Sequence, residues 1–168
     1  MTRILIVEEA LKNRSGHWYE YNRAIVEEAR QRGHDVTLLA HRDIEPDIRE
    51  ELDAEAFFPA TSWDQVYYHP SAWKRYLGIL RHNKLITGLL QKHFKSRAEP
   101  YDVVLVPTTV LYHWIAWRWL VWRGIGKWFQ RVVLTARNNA GEYDPELKTY
   151  TFNSSAKVLA GVLRTFRR

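Results

Sequence analysis

The sequence predicts an α/β fold in which helices cover both faces of a parallel β-sheet. Strand-like and helix-like segments alternate along the 168 residues, an order typical of βαβ units. The strand-like segments at 4–7 and 103–106 are continuous apolar runs and not alternating ones, which indicates strands buried on both faces. The length, and the 46% share of hydrophobic residues, suffice for one globular domain with its own core.

The first βαβ unit opens at the N-terminus. Residues 4–7 form its first strand and residues 36–40 its second, and Gly33 ends the helix between them. This helix is predicted because apolar residues recur at helical spacing while charged residues occupy its other faces. The apolar positions are Trp18, Tyr21, Ile25 and Ala29.

The alternation continues to the C-terminus and predicts a Rossmann-like sheet. The remaining elements are a short strand over 56–59, one long helix or a broken pair from Trp73 to Phe94 with an interruption near Gly88, a strand over 101–107, a helix from about Val110 to Trp122, a final strand over 131–135 and a basic closing helix over 153–168.

Composition narrows the function classes. Cysteine is absent, which excludes disulfides, thiol chemistry and cysteine-ligated metals and agrees with a cytoplasmic protein. The chain reads directly into a strand without a signal-peptide pattern. The net charge of the chain is +6, and the positive charge is concentrated in its C-terminal part. From Val103 onward there are 10 Lys and Arg but only 3 Asp and Glu. This indicates an anionic partner such as phospholipid, a nucleotide diphosphate or nucleic acid, the alternative being a solvated basic surface.

The loop after the first strand is a candidate phosphate site. It lies where a helix N-terminus offers free N–H groups and a partial positive charge. Gly16 is its one glycine, so the loop lacks the G-x-G-x-x-G and P-loop patterns, which disfavours NAD and ATP and leaves a looser diphosphate or sugar contact. The alternative is that Ser15 and Gly16 only make the turn and cap the helix.

Further candidates follow the other strands, because ligands of open parallel sheets bind at the carboxyl ends of the strands. Guanidinium, hydroxyl, amide and imidazole groups suit phosphates and sugars, and no metal-ligand spacing is present, so no metal site is expected. Glu8 and Glu9 face opposite ways and are not expected to form a catalytic dyad. The predicted donor or phosphate contacts are Arg14, Ser15, Gly16, His17 and Arg137, the acceptor contacts are Arg42, Thr108, Thr109, Asn138 and Asn139, and His113 is the candidate catalytic residue.

A tryptophan-rich basic segment follows the fourth predicted strand, with no acidic residue between Asp102 and Glu142. Trp with Arg and Lys favours a membrane interface, and the segment is too interrupted to span a bilayer. The alternative is a helix packed under the sheet or against a missing domain. The predicted membrane-facing residues are Trp114, Trp117, Arg118, Trp122 and Arg123.

Taken together, the order of motifs resembles the N-terminal half of a GT-B glycosyltransferase of the retaining, sugar-nucleotide-dependent kind, similar to family four. The resemblance is carried by residues 3–7, by Ser15-Gly16-His17, by the turn Gly33-His34-Asp35-Val36, and by residues 101–104 with the loop to His113. It implies an acceptor-binding half whose loop at Ser15-Gly16 touches the donor diphosphate and whose His113 lines the cleft.

The resemblance also implies the substrates, the missing domain and the location of the protein. The substrates would be a nucleotide-sugar donor and a glycan or lipid-linked acceptor, with no further cofactor. Residues 1–168 would be a single acceptor-side domain, and the donor-binding domain would be absent from this chain, so that activity requires a second domain or chain. The protein would be cytoplasmic, or peripheral at the inner face of the membrane.

Two other hypotheses stay open. The chain could be a non-catalytic partner that brings a glycosyltransferase to lipid or glycan, in which case a chain carrying the donor domain would co-purify with it. The sequence pI near 9.6 and the mixture of aromatic and basic residues also allow a nucleic-acid-binding domain. Its affinity for oligonucleotides would fall steeply with salt.

Overall fold

The computed structural model has the predicted Rossmann-like architecture, a five-stranded parallel sheet in the order β3-β2-β1-β4-β5. It describes residues 1–64, 69–110, 113–136, 141–146, 148–152 and 164. The elements are β1 (Arg3–Glu8), α1 (His17–Gln31), β2 (Asp35–His41), α2 (Pro46–Leu52), β3 (Ala54–Phe58), α3 (Ala72–Ser96), β4 (Tyr101–Thr109), α4 (Trp114–Gly124), β5 (Phe129–Ala136), β6 (Gly141–Asp144) and β7 (Thr149–Phe152).

Two hydrophobic cores lie on opposite faces of the sheet. Alternate residues of β1 point to opposite faces, so Leu5 and Val7 pack with α3 and α4 while Ile6 packs with α1 and α2. The central strand is β1, which pairs in parallel with β2 on one edge and β4 on the other. Its last four residues are buried. Burial on both faces explains why the strand sequences read as continuous apolar runs.

Several elements differ from the sequence prediction. The helix α2 was not predicted, because it is only seven residues long and its buried apolar positions are Ile48 and Leu52. The long helix α3 is unbroken, since burial of Leu90 and Phe94 outweighs the cost of about 1 kcal/mol for Gly88 in a helix. The helix predicted from about Val110 begins at Trp114.

The C-terminal part also differs. The strand over 131–135 is not the final one, because β6 and β7 form an antiparallel hairpin after it. The basic helix predicted over 153–168 lies outside the described residues except for position 164.

The order of the strands defines where a ligand would bind. The chain moves outward from β1 through β2 to β3, then returns to the other side of β1 with β4 and β5. A crevice opens outside the carboxyl ends of the strands at such a switch point. Glu8 ends β1, Glu9 follows it, and Thr108 and Thr109 end β4 beside them.

Candidate functional site

A buried carboxylate between two imidazoles occupies the switch point. Glu9 lies between His82 of α3 and His113 at the start of α4, and we call these three residues the His–Glu–His cluster. The His82 Nε2 atom is 3.0 Å from one Glu9 oxygen, and the His113 Nε2 atom is 3.2 Å from the other. The backbone N–H of Ser62 donates to Glu9 at 2.6 Å. All three side chains of the cluster are at most 10% exposed.

The surroundings of Glu9 stabilise its charged form. Burial acts to raise the pKa of Glu9, but His113 and His82 outweigh burial and hold that pKa well below its usual range. Glu9 is therefore an ionised acceptor of hydrogen bonds at neutral pH. A buried carboxylate that orients imidazole rings in this way fixes their tautomers and stabilises an imidazolium when one forms.

The cluster also has the composition of a metal site, which the sequence spacing did not indicate. One potential ligand atom from each of its three residues lies within 4.8 Å of the others. However, the backbone N–H of Val110 donates to His113 Nδ1 at 3.5 Å. That contact assigns the ring proton to Nε2, the nitrogen beside Glu9. The arrangement therefore favours proton exchange over metal ligation.

His82 connects the buried cluster with the surface. On one side it lines a cavity of about 20 Å³ together with Glu9, His113 and Thr108, which is room for about one water molecule. On the other side it lines an open groove of about 550 Å³ along α3, a volume within the range of small-molecule sites. We call this second space the α3 groove. A ligand in the α3 groove can therefore reach His82, and through it Glu9.

Glu8 faces the opposite side of the sheet from Glu9 and differs from it chemically. Burial raises the pKa of Glu8 from 4.5 to about 7, the charge of Glu9 acts in the same direction, and hydrogen bonds from Thr108, Ala10 and Asn22 only partly oppose this. Near neutral pH the chain therefore holds one ionised and one half-protonated carboxyl at the end of β1. Such a separation of pKa values is a common feature of functional sites.

The raised pKa of Glu8 makes stability depend on pH. The folded state binds this proton more tightly than the unfolded chain, so the stabilisation is fully present below pH 4.5 and is lost as the pH rises through about 7. We expect Glu8→Gln to gain about 3 kcal/mol relative to the wild type between those two limits. Urea unfolding across this range measures the difference, with exposed Glu55→Gln as the control. A difference that does not vary with pH contradicts the assignment.

The loop after β1 forms the turn that the sequence suggested. Gly16 has a φ of 75°, and a Cβ there would lie 3.2 Å from the Trp18 ring, so glycine is required. The Ser15 backbone N–H donates to Asn13, and Ser15 and His17 are exposed. Arg14 is occupied elsewhere, because its guanidinium lies 3.0 Å from Asp47 and 2.9 Å from Glu51. Phosphate binding by this loop stays a prediction.

The predicted acceptor contacts lie in different environments. Thr108 and Thr109 are buried at the end of β4, and the Thr109 hydroxyl donates to the Thr135 carbonyl at 2.7 Å. Thr108 lines the cavity next to the His–Glu–His cluster. Arg42 is exposed after β2 and lies 3.5 Å from Asp43. Arg137, Asn138 and Asn139 lie outside the described residues.

The tryptophan-rich helix requires a correction. Trp114 and Trp117 were predicted to face a membrane, but they are only 6% and 2% exposed, and Trp117 packs in the core between α4 and the sheet. Arg118 is half-buried, whereas Trp122 and Arg123 are on the surface. In the described part of the chain, no helix combines the length and apolar character needed to cross a bilayer.

Sequence reasoning found His113 but missed its partners. The sequence argument excluded Glu9 from a catalytic dyad because its side chain faces away from Glu8. The same orientation points Glu9 to the face of the sheet that α3 and α4 cover. His82 lies inside a long amphipathic helix, with no local motif around it. A polar residue on the buried side of that helix was the available signal, since buried polar groups require partners.

Comparison with known proteins supports the fold. No family model and no curated protein matches the chain. The chain is similar to a crystal structure of the glycotransferase of kitacinnamycin, with a TM-score of 0.55 and 15% identity over 84% of this chain and 32% of that one. A second structure, SsfS6, a glycosyltransferase of Streptomyces sp. SF2575, gives a TM-score of 0.49 and 16% identity over 97% of this chain and 44% of that one.

The first of these likenesses supports the Rossmann-like α/β fold, which this chain shares with part of that glycotransferase structure. The chain spans less than half the length of either structure that it matches.

Proposed function

We propose that this chain is the acceptor-side half of a glycosyltransferase, which transfers a sugar from a nucleotide-sugar donor to a hydroxyl group. One observation carries the proposal. An imidazole oriented by an ionised buried carboxylate lies at the switch point of a glycosyltransferase-like fold and lines a groove of about 550 Å³. This is where an open parallel sheet places its ligands.

The chemistry follows from the roles of the cluster. Nε2 of His82 lies beside Glu9. In this proposal the imidazole therefore exchanges a proton with a ligand through its other nitrogen, Nδ1. His82 takes the proton of the acceptor hydroxyl as that oxygen bonds to the anomeric carbon of the donor sugar. The bond between the anomeric carbon and the diphosphate oxygen breaks, and its electron pair leaves with the diphosphate. Glu9 stabilises the imidazolium, and His113 holds Glu9 from its other side.

The activity assay uses the protein together with the domain or partner chain that supplies the donor site, with a panel of nucleotide-sugar donors and hydroxyl-bearing acceptors, and measures acceptor-dependent release of nucleoside diphosphate. We expect His82→Gln to lower kcat about a hundredfold, the size of a general-base contribution. His93→Gln is the matched control, because His93 is a buried histidine of the same helix that contacts Tyr101 and not Glu9. Equal rates for His82→Gln and the wild type would contradict the role of His82, and no release with any donor would contradict the function.

The donor side is proposed to come from elsewhere. In this proposal a second domain or partner chain holds most of the nucleotide-sugar, because this chain spans only 32% of the glycotransferase whose fold it shares. Co-purification with a chain that binds nucleotide-sugars, or such a domain in the same polypeptide, supports it. Normal transfer by residues 1–168 alone contradicts it.

We also propose a peripheral contact with anionic membranes through the outer face of α4. Ile115, Trp122 and Ile125 are each at least 50% exposed, and the Arg123 guanidinium lies 5.6 Å from the Trp119 and Trp122 ring centres. An exposed apolar and cationic face of this kind suits the lipid interface.

Vesicle co-sedimentation tests this contact. We expect the chain to bind vesicles that contain phosphatidylglycerol and Trp122→Ser to lose most of that binding, because Trp supplies a large part of the apolar contact area. Trp73→Ser is the control, since Trp73 is 65% exposed but lies on α3. Equal losses in the two variants, or none in either, would show that the α4 face is not the contact.

A further inference from the structure

The side chains that line the α3 groove indicate the chemistry of a ligand that would fit it. One face of α3 lines it, through residues spaced three or four apart along the helix. Leu77 and Leu85 supply apolar surface, and His82 lies between them. Lys74 and Arg81 also line the groove, Lys74 about one turn before Leu77 and Arg81 midway between the two leucines, next to His82. The groove therefore combines an apolar wall, a buried imidazole and two cations.

Lys74 and Arg81, the two cations of the groove, have no acidic partner among the described residues. In the described ranges of the chain, no carboxylate lies within ion-pair distance of Lys74 or Arg81, whereas Arg14, Arg23 and Arg32 of the α1 region each pair with an acid. Among the described lining residues Asp64 is the one carboxylate, and it accepts a hydrogen bond from the Thr61 backbone N–H at 3.1 Å. The groove consequently has an excess of positive charge.

The residues that lead into α3 are held by hydrogen bonds within the protein. Arg75 donates to the carbonyl oxygens of His69 and Pro70 at 2.7 and 3.0 Å, and the Ser71 backbone N–H donates to His69 Nδ1 at 3.0 Å. These contacts fix His69, which lines the groove, against the first turn of the helix. Lys74 and Arg81 take no part in these contacts.

We propose that the α3 groove binds an anionic amphiphilic acceptor, a compound with an apolar body, an acidic group and a hydroxyl. The apolar body lies along Leu77 and Leu85, the acidic group meets Lys74 or Arg81, and the hydroxyl reaches His82. This inference rests on the proposed function for the role of the hydroxyl, but the binding of the anion depends only on the groove. Charge complementarity selects this class over neutral glycans.

The test compares two probes of the same shape, 6-hydroxy-2-naphthoate and 6-hydroxy-2-naphthamide, by isothermal titration calorimetry with the full-length protein. We expect the carboxylate to bind about tenfold more tightly, which corresponds to one charge-assisted hydrogen bond. Lys74→Gln or Arg81→Gln should reduce this preference by most of that factor. Lys84→Gln is the control, because Lys84 is an exposed lysine of the same helix outside the lining.

Each outcome decides the proposal. Equal affinities for the two probes overturn the anionic class, and no binding of either probe overturns the groove as an acceptor site. A preference that persists in both Lys74→Gln and Arg81→Gln, or that Lys84→Gln also abolishes, overturns the location. Because all three residues are exposed, thermal unfolding should be unchanged in the variants. The titration needs no donor and no turnover, so its success or failure is separate from that of sugar transfer.

Discussion

Glu9→Gln is expected to lower kcat for sugar transfer about a hundredfold or more while KM for the acceptor changes little. Glutamine keeps the size of the side chain but replaces one accepting oxygen by a donating NH₂ group. Glu9 now accepts from Ser62 and lies beside Nε2 of both histidines. In the variant one of these donors faces another donor, so His82 loses its orientation and an imidazolium loses its counter-charge.

The split between kcat and KM separates this role from a general loss of structure. Steady-state kinetics with the full-length protein measures both constants, and urea unfolding checks that the variant is folded. Glu9→Asp, which keeps the charge on a shorter side chain, should recover part of the rate, whereas Glu9→Ala should not. A Glu9→Gln enzyme with wild-type kcat would show that the cluster is only structural.

Phe94→Ala is expected to lower the free energy of unfolding by about 3–5 kcal/mol. Phe94 is 4% exposed, and its ring lies 5.7 Å from Trp128 and 5.3 Å from Phe129, measured between ring centres. It joins the end of α3 to β5, where the surrounding aromatic rings cannot collapse into the space that it leaves. The loss therefore includes the transfer of the ring and the cost of a cavity.

Chemical denaturation of matched variants checks this value. Phe94→Leu should cost about 1–2 kcal/mol, because most of the apolar volume remains. Trp73→Ala should change the free energy of unfolding by no more than about 0.5 kcal/mol, since Trp73 is a large aromatic residue of the same helix that is 65% exposed. A cost below about 1 kcal/mol for Phe94→Ala would contradict the packing of this core.

The elements that could be predicted from the sequence are those with a clear local pattern of apolar and polar residues. The buried strands β1 and β4 are apolar runs, and α1 shows helical spacing and ends before Gly33. The helix α2 and the hairpin of β6 and β7 were not predicted, because seven- and four-residue elements carry too few positions for a period to emerge. The membrane prediction failed at Trp114 and Trp117 because an apolar helix has the same composition whether sheet or lipid covers it.

By itself the sequence determined the class of fold and the position of His113 near the carboxyl ends of the parallel strands. Those properties follow from local patterns and from the rule that parallel strands end together. Only the tertiary structure decided the site, because Glu9, His82 and His113 come from three elements separated by 73 and 31 positions along the chain. Sheet order and helix packing bring them within hydrogen-bond distance, and no local spacing encodes that contact.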